Sequence, residues 1–260
     1  MKDGLRLVSA GIFGFVLFAV CAAPCGAQGS EAKEKPPMYS YVANWVIPRA
    51  QWGEMAKSAD ADKAVLDKAL ADGTIVGYGS DETVVHQVDD VTHDDWWSSM
   101  SMAGLLKVLD QISASGNSAT PVLTSATKHF DEILVSRYYN WKPGAWKGGY
   151  GHVAQYALKK DAPDNAVELV SKQIVVPLLE KFVADGTVRE YEVDEEAIHT
   201  QAPNRFWIVY VASTAEGIDT VQSALVKLVG AQPLLGPALG SMTDDMDHRD
   251  ELVRSQGVYK

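Results

Sequence analysis

The sequence predicts an α+β fold in which one βαββαβ unit occurs twice in tandem. Two observations carry this prediction: a segment that repeats, and hydrophobic patterns that alternate between strand and helix periods in the same order in both halves. The segment Ala71–His86 aligns without gaps on Ala184–His199, with eight of sixteen positions identical. Average residue usage predicts about one identity over that length, so the two segments are interpreted as copies of one module.

Neighbouring segments support the repeat because they match in the same order. Four of the six histidines fall into equivalent pairs in this alignment. The further matches are Asn44-Trp45 with Asn140-Trp141, Trp96-Trp97 with Phe206-Trp207, and His129–Ile133 with His248–Leu252.

Each unit begins with a predicted strand, at Tyr39–Ile47 in the first and at Ile133–Trp141 in the second. An amphipathic helix follows in both, and Pro177 predicts a kink or a break in the second one. Both helices end at an Asp-Gly pair, Asp72-Gly73 and Asp185-Gly186, where glycine can adopt the left-handed conformation that stops a helix.

A second strand runs from the Asp-Gly pair toward the histidine, and a third carries the tryptophan, best seen in Phe206–Val211. The next helix has apolar residues at three- and four-residue spacing, over Met102–Ile112 and Ile218–Leu228. A last strand begins near the His-x-Asp-Glu segment. This order is that of the ferredoxin-like unit, which packs two helices on one face of an antiparallel sheet.

The other face of each sheet must also be covered. Two copies in one chain can cover each other sheet to sheet, so the expected architecture is an intrachain pseudo-dimer. The predicted units are residues 38–130 and 131–260. The second unit carries an insertion at 142–163, rich in glycine and aromatic residues, which we interpret as a mobile lid or a pocket rim.

Composition excludes some classes of partner. The chain has 260 residues, 47% of them hydrophobic, and a formal net charge of -11. A nucleic-acid-binding protein would show a basic stripe, and none is present. An acidic surface also disfavours binding to anionic membranes. The remaining expectation is a small-molecule ligand, and a homodimer is compatible with the fold.

The first residues have the pattern of a cleavable signal peptide. Lys2 and Arg6 precede the apolar run Leu7–Ala23, and small residues lead to a cleavage site before Gln28. The predicted segments are a signal peptide at 1–27 and a disordered linker at 28–37, so we expect a secreted or periplasmic protein. The alternative is an N-terminal membrane anchor, for which seventeen apolar residues are marginal.

Both cysteines, Cys21 and Cys25, lie in this N-terminal segment. The mature chain would therefore have none, which excludes thiol nucleophiles, disulfide exchange and cysteine-ligated metals. A lipoprotein is a further alternative, although Val20 and Pro24 stand where small residues are expected.

The first candidate catalytic residues are Asn44 and Asn140, each followed by a tryptophan on a strand. Adjacent strand residues point to opposite faces, so one member of each pair faces a helix layer and the other the partner sheet. His86 and His199 follow acidic pairs at the far ends of strands and could act as general bases or metal ligands. The alternative for all four is structural, since buried polar groups are normally hydrogen-bonded.

Six aromatic residues are candidates to wall a ligand pocket, and core packing is the alternative for each of them. They are Trp45, Trp97, Trp141, Trp146, Trp207 and Tyr150.

The repeated His-x-Asp segment holds the residue types of a metal site. His129 and Asp131, like His248 and Asp250, stand two residues apart and would share one face of a strand. No further ligand is placed by the sequence, so an aspartate that fixes its neighbouring histidine is the favoured interpretation. No metal or other cofactor is predicted.

The duplicated βαββαβ pattern resembles the dimeric α/β-barrel superfamily, here as a fused internal dimer, and within it the antibiotic-biosynthesis monooxygenases. The resemblance covers about residues 38–260 and rests on element order and duplication. It implies an aromatic barrel pocket and cofactor-free oxygenase or haem-degrading activity. The residues that match in kind are Asn44, Asn140, Trp97, Trp207, His86 and His199.

The sequence departs from the haem-degrading members of that superfamily. Their iron-ligating histidine lies on the second helix, about ten residues after the strand tryptophan, where Lys107 and Gly217 stand here. Haem is therefore possible but is not predicted.

We expect a protein that binds a small, partly aromatic molecule, with oxygenase-type chemistry as one possibility. A non-catalytic binding or scaffold protein and a metal-dependent enzyme are the alternatives. Geometry distinguishes them: a catalytic site requires Asn44, His86 and Trp97, or their counterparts, to converge on one open cavity.

Overall fold

A computed structural model describes residues 33–59, 61–116, 119–200 and 204–260. The predicted signal peptide and the first part of the predicted linker lie outside these residues. Among the residues described, no helix combines the length and the apolar character that a bilayer crossing requires.

Eight antiparallel strands form a closed barrel. Around the barrel the order is β2-β3-β1-β4-β7-β8-β6-β9, and β9 pairs with β2 to close the ring. A short strand, β5, pairs with the end of β9. The strands are β1 (Met38–Val46), β2 (Gly77–Thr83), β3 (His93–Ser99), β4 (Lys128–Trp141), β5 (Ala145–Trp146), β6 (Tyr150–Ala157), β7 (Val188–Glu196), β8 (Arg205–Ala212) and β9 (Arg249–Tyr259).

Helices pack on the outer surface of the barrel in two groups. The second group forms one hydrophobic core with the strands beneath it, and the first forms one such core and a smaller cluster of Ile47, Met55 and Val122. The helices of the first group are α1 (Trp52–Ala59), α2 (Lys63–Ala71), α3 (Met102–Ser115) and α4 (Pro121–Thr124). Those of the second group are α5 (Ala166–Val170), α6 (Val176–Asp185), α7 (Ala215–Ala231) and α8 (Leu235–Met242).

The two groups of strands have the same internal order. The first is ordered β2-β3-β1-β4 and the second β7-β8-β6-β9. The last strand of each group also pairs with a strand of the other group, β4 with β7 and β9 with β2. These two pairings between the groups close the barrel, so neither group forms a closed sheet without the other.

Local sequence explains where the long helices begin. Ser101 and Thr214 are the N-caps of α3 and α7, and each side chain accepts a hydrogen bond from the amide of the glycine three residues later, Gly104 and Gly217. Such caps satisfy amides that would otherwise lack a partner, a contribution of about 1 kcal/mol. Along each strand, every second side chain faces a helix layer and the others face the barrel interior, because strand residues alternate between the two faces of a sheet.

The strand predicted at Ile133–Trp141 is present, but it is continuous with the strand that precedes it. It forms the latter part of β4, which pairs with β1 along one edge and β7 along the other. The predicted boundary at residue 130 consequently falls inside a strand. The first strand of the second group is instead β6.

The predicted insertion at 142–163 is therefore not simply a loop, because β5 and β6 lie within it. Its glycines suggested a loop, yet Gly151 is buried in the sheet, and a Cβ at this position would lie 2.6 Å from Val253 Cγ2. A close approach of this kind is one reason for glycine in a strand interior. The break predicted at Pro177 takes the form of a π-helical turn, Ser171–Val175, directly before α6.

Candidate functional site

A cavity of about 440 Å³ lies between the outer face of the first group of strands and its helices. We call it the outer cavity. Its size is within the range of small-molecule sites. Alternate residues of β1, Tyr41, Ala43 and Trp45, point into it because they share one face of the strand. The aromatic side chains along its walls are Tyr41, Trp45, Tyr78, Trp96, Trp97 and Tyr259.

Asp95 is an acidic group on the strand side of the outer cavity. It lies on β3, two residues before Trp97, and therefore on the same face of the strand. Among the described residues no side chain or backbone amide donates a hydrogen bond to it. Burial raises the pKa of Asp95 to about 7, with smaller contributions from the negative charges of Asp62 and Asp81. A carboxyl with this pKa can accept or donate a proton near neutral pH.

His129 and Asp131 form a pair at another wall of the outer cavity. His129 Nδ1 lies 3.0 Å from the carbonyl oxygen of Asn44, and Nε2 lies 3.3 Å from Asp131 Oδ1. A carbonyl only accepts hydrogen bonds, so Nδ1 carries the proton. The ring makes an ion pair with Asp131 when Nε2 is protonated as well.

Aromatic stacking builds the wall around this pair. The Trp45 ring lies 3.6 Å from the His129 ring, centroid to centroid, and Tyr41 stacks on Trp97 at 4.4 Å. Burial, then a hydrogen bond to Asp131, raises the pKa of the Tyr41 hydroxyl, which therefore stays protonated. The indole N–H of Trp45 is buried and has no acceptor among the described residues. Such an orphan donor costs about 1–3 kcal/mol and is a position where a ligand oxygen could be held.

Lys63 supplies a positive charge at the helix side of the outer cavity. Lys63 Nζ lies 2.8 Å from Asp67 Oδ1 and 3.1 Å from the Tyr78 hydroxyl, and 4.3 Å from the centroid of the Tyr259 ring. The Tyr78 hydroxyl donates to Asp67. Burial, followed by that hydrogen bond, raises the pKa of Tyr78 to about 12. This network keeps Tyr78 neutral and fixes the aromatic wall beneath α2.

The second group of strands repeats the histidine contacts. His248 Nδ1 lies 2.9 Å from the carbonyl oxygen of Gln155, and Nε2 lies 3.3 Å from Asp250 Oδ2. Tyr156 stacks on His248 at 4.3 Å. The positional counterpart of Asn44-Trp45 is therefore Gln155-Tyr156.

The rest of the second group differs. In the first group Asp95 lies opposite Ala43 on the neighbouring strand. At the equivalent position of the second group Ile208 lies opposite Ala154, so an apolar side chain stands in place of the acid. Leu235, Leu239 and Met242 of α8 pack into the core above these strands. The pocket chemistry of the first group is therefore not repeated.

A second cavity, of about 260 Å³, lies inside the barrel, and we call it the lumen. Asn44 faces it and donates from Nδ2 to Glu132 Oε2 at 3.0 Å. Trp207 also lines the lumen, whereas Trp96 borders both cavities.

The convergence expected of Asn44, His86 and Trp97 is not found. Asn44 faces the lumen, Trp97 faces the outer cavity, and His86 is exposed in the loop after β2, with its ring 4.5 Å from that of Trp52. The sheet itself separates the first two, because their side chains leave it on opposite faces. His199 is likewise exposed, in the loop after β7.

The other predicted residues lie away from the outer cavity. Asn140 donates to Glu180 Oε2 at 2.8 Å and accepts from the amide of Trp141. Trp146 belongs to β5, and the Tyr150 hydroxyl accepts a hydrogen bond from Arg254. Trp207 was predicted to be the counterpart of Trp97 in the second group. The strand pairing instead places Tyr210 at that position, because Trp97 lies opposite Tyr78 and Tyr210 lies opposite Tyr191.

Sequence reasoning missed the acid, Asp95, and four of the six aromatic wall residues. These four are Tyr41, Tyr78, Trp96 and Tyr259. One signal was available for Asp95: an acidic residue that alternates with Trp97 on a strand should face the same way as that large aromatic side chain. Tyr41 and Tyr78 give no such signal, because tyrosine is common in strands of many kinds.

The residues around the outer cavity do not fit haem. Helix α3 presents Leu109, Ile112 and Ser113, none of which is an iron ligand of the usual kind. Both ring nitrogens of His129 are already engaged. Among the residues described, no three histidine or acidic side chains are grouped so as to hold a metal ion. For His129-Asp131 and His248-Asp250, the geometry is that of an aspartate fixing its neighbouring histidine.

No protein-family model and no curated protein matches the sequence. Solved structures do match over most of the chain. A putative monooxygenase from Lactobacillus acidophilus NCFM has 11% identity and a TM-score of 0.60, covering 87% of this chain and 97% of that one. A putative monooxygenase from Fusobacterium nucleatum has 8% identity and a TM-score of 0.63, covering 87% and 95%.

An anthrone oxidase-like protein has 9% identity and a TM-score of 0.52, covering 86% of this chain and 93% of that one. At these identities the likeness shows the fold alone. The chain thus shares an α+β barrel fold with these proteins, as its resemblance to dimeric α/β-barrel proteins implied.

Proposed function

We propose that the protein binds a small aromatic molecule with an ionisable hydroxyl in the outer cavity and oxygenates it without a cofactor. One observation carries the proposal: Asp95 presents a carboxyl, with no hydrogen-bond donor among the described residues, to a cavity walled by aromatic rings. Aromatic walls select flat, apolar ligands, and a few polar groups fix their orientation.

Asp95 acts as the general base in this proposal. With a pKa of about 7 it is partly ionised at neutral pH, and it accepts the proton of the substrate hydroxyl or of an acidic ring C–H. The resulting anion is electron-rich and transfers electron density to dioxygen. A carbon–oxygen bond forms, and protonated Asp95 returns its proton to the peroxide oxygen.

Loss of water from the hydroperoxide leaves a new carbonyl group. One oxygen atom of dioxygen enters the product and the other leaves as water, so no external reductant is needed. The indole N–H of Trp45 is the donor that would hold the substrate oxygen as it gains negative charge. The pair formed by His129 and Asp131 fixes the Trp45 ring from its other face.

The comparisons support this proposal at the level of fold. Two similar structures are of putative monooxygenases and a third is of an anthrone oxidase-like protein. The similarity extends over almost their whole length, so the barrel is a framework found in proteins given these names. The chemistry proposed for this chain rests on its own residues.

We also propose that the chain is a fused pair of ferredoxin-like units forming an intrachain pseudo-dimer. The equal strand order of the two groups and the matching contacts of His129 and His248 support this. Export by a signal peptide at residues 1–27, giving a secreted or periplasmic protein, is a further proposal based on the pattern of the N-terminal sequence.

The test is dioxygen uptake by the purified protein with a panel of two- and three-ring hydroxylated aromatics. Turnover is expected for at least one substrate, and Asp95→Asn should remove it. Asp110→Asn, on the exposed face of α3, is the matched control. If Asp95→Asn consumes dioxygen at the native rate, the proposed base is wrong. Tight binding without any turnover would favour the non-catalytic binding protein instead.

A further inference from the structure

The lumen has strongly acidic walls, unlike the outer cavity. Carboxyl groups from several strands face it, on every side of the ring. They include Asp81, Asp94, Glu190, Glu192 and Asp194. A closed barrel of eight strands has room inside for side chains and one small ligand.

Lys260 shows what kind of group these walls hold. Its Nζ lies 2.9 Å from Glu190 Oε2 and 3.2 Å from Glu192 Oε1, and the side chain is fully buried. The rings of Trp96 and Trp141 lie 4.7 and 4.9 Å from the same nitrogen. Carboxylates combined with aromatic faces are the usual partners of an ammonium group on an alkyl chain.

Two further carboxylate oxygens in the lumen lack a hydrogen bond of normal geometry from the described residues. Asp194 is 3% exposed, and its Oδ1 receives no hydrogen bond from them. Asp81 is 8% exposed; its Oδ2 accepts from Trp96 Nε1 at 2.9 Å, and its strand partner Ser255 is close enough to act on its pKa, although neither Asp81 Oδ1 nor Ser255 Oγ forms a hydrogen bond of normal geometry. Buried polar atoms are almost always satisfied in native proteins, so acceptors left open in one cavity, above all Asp194 Oδ1, point to a donor that enters from outside.

The positions of these two acceptors define the ligand further. Asp81 is on β2 and Asp194 on β7, four strands apart in a ring of eight, so they lie on opposite walls. Several valines also line the lumen. They can contact the alkyl chain of a ligand whose cationic groups reach the carboxyls on either side.

We propose that the lumen binds a short aliphatic diamine, with one ammonium group on Asp194 and the other on Asp81. Each ammonium group is satisfied by one carboxylate and nearby aromatic faces, and its positive charge favours the ionised form of a carboxyl that burial otherwise keeps protonated. Entry is at the end where β4 and β9 begin, because Phe130 and Arg249 border the lumen there and both are exposed. The opposite end holds Lys260.

The test is calorimetric titration of the full chain with butane-1,4-diamine at neutral pH and low salt. Saturable binding of one diamine is expected, with no binding of butane-1,4-diol, which has the same length but no charge. Asp194→Asn should weaken binding at least tenfold, and so should Asp81→Asn. Asp110→Asn should bind like the native protein. Circular dichroism of each variant checks that it is folded.

Absence of saturable binding would overturn the proposal, as would equal affinities in the native protein and both folded lumen variants. Equal binding of butylamine and the diamine would overturn the bridging arrangement. The result is independent of the proposed oxygenase, because Asp95 faces the outer cavity. Asp95→Asn should therefore retain saturable diamine binding, with only a small change in affinity through its charge interaction with Asp81, whatever it does to dioxygen uptake.

Discussion

The two groups of strands share their order and their histidine contacts, yet only the first encloses the outer cavity. His129 and His248 bind the same backbone carbonyl position and the same aspartate position. What differs is the cover: a short α4 lies over the first group, and the longer α8 packs its apolar residues over the second.

This difference teaches that contacts common to both groups need not mark a binding site. The His-x-Asp contact ties the start of a strand to its neighbour in both groups. The chemical difference lies at a position where the groups diverge, with Asp95 in the first group and Ile208 in the second. The proposed site is therefore found where the two groups differ.

The largest effect is expected at that divergent position. Asp95→Asn should lower the rate of dioxygen uptake by about 10²–10⁴-fold, the usual contribution of a general base. The rate of the native protein should rise with pH through about 7, because the base is active when ionised. A residual rate in Asp95→Asn that keeps this pH dependence would show that another group is the base.

Packing should distinguish the two groups in stability. Leu235→Ala, in the filled second group, should lower the free energy of unfolding by about 2–4 kcal/mol because it leaves a void in a packed core. Leu123→Ala should lower it by about 1 kcal/mol or less, since Leu123 borders the outer cavity and is only partly buried. Urea denaturation measures both changes in the free energy of unfolding. Equal losses would contradict the conclusion that a cavity lies over the first group of strands and a packed core over the second.

The lumen, which both groups share, should make stability depend on pH. Burial raises the pKa of Glu251 to about 7, and it raises those of Asp94 and Asp194 well above their ordinary value. The unfolded carboxyls ionise near pH 4, so between about pH 4 and 7 the folded state binds more protons. Stability should therefore fall as the pH rises through this window and then level off.

Thermal unfolding measures this as a Tm several degrees lower at pH 7.5 than at pH 5. Asp194→Asn removes one ionisable group and should reduce the difference. A Tm that rises over the same window would contradict the burial of these groups in their protonated form.

The smallest effect is expected from the matched histidines. His129→Ala and His248→Ala should each cost about 1 kcal/mol, because each removes one partly buried hydrogen bond and one stacking contact. Only His129→Ala should change the KM for the substrate, since only its partner Trp45 borders the outer cavity. Equal effects of the two variants on KM would remove the functional distinction between the groups.

The sequence was sufficient for the fold class and for several elements. The α+β order, the Asp-Gly helix ends and the amphipathic helices follow from local periodicity and turn chemistry. It was not sufficient for β6, because Gly151 is required by the approach of Val253 from a strand about 100 residues away. Distant contacts of this kind leave no local pattern.

The candidate site was less predictable than the fold. Trp45 and Trp97 were identified, but the sheet sends Asn44 to the other cavity. The role of Asp95 depends on burial beneath α2 and α3, which the residue types alone do not specify. The repeat predicted His86 and His199 as site residues, but both side chains are exposed in loops.

Closure of the ring by β9 has a consequence for how the chain acquires its structure. Tyr259 pairs with Tyr78, so the final joint connects residues separated by most of the described chain. Contacts of such long sequence separation form slowly. Neither group of strands has both edges covered until that joint is made, and β4 depends on β7 in the same way. Folding should therefore be a single cooperative event, and a chain cut between the groups should expose two unpaired strand edges prone to association.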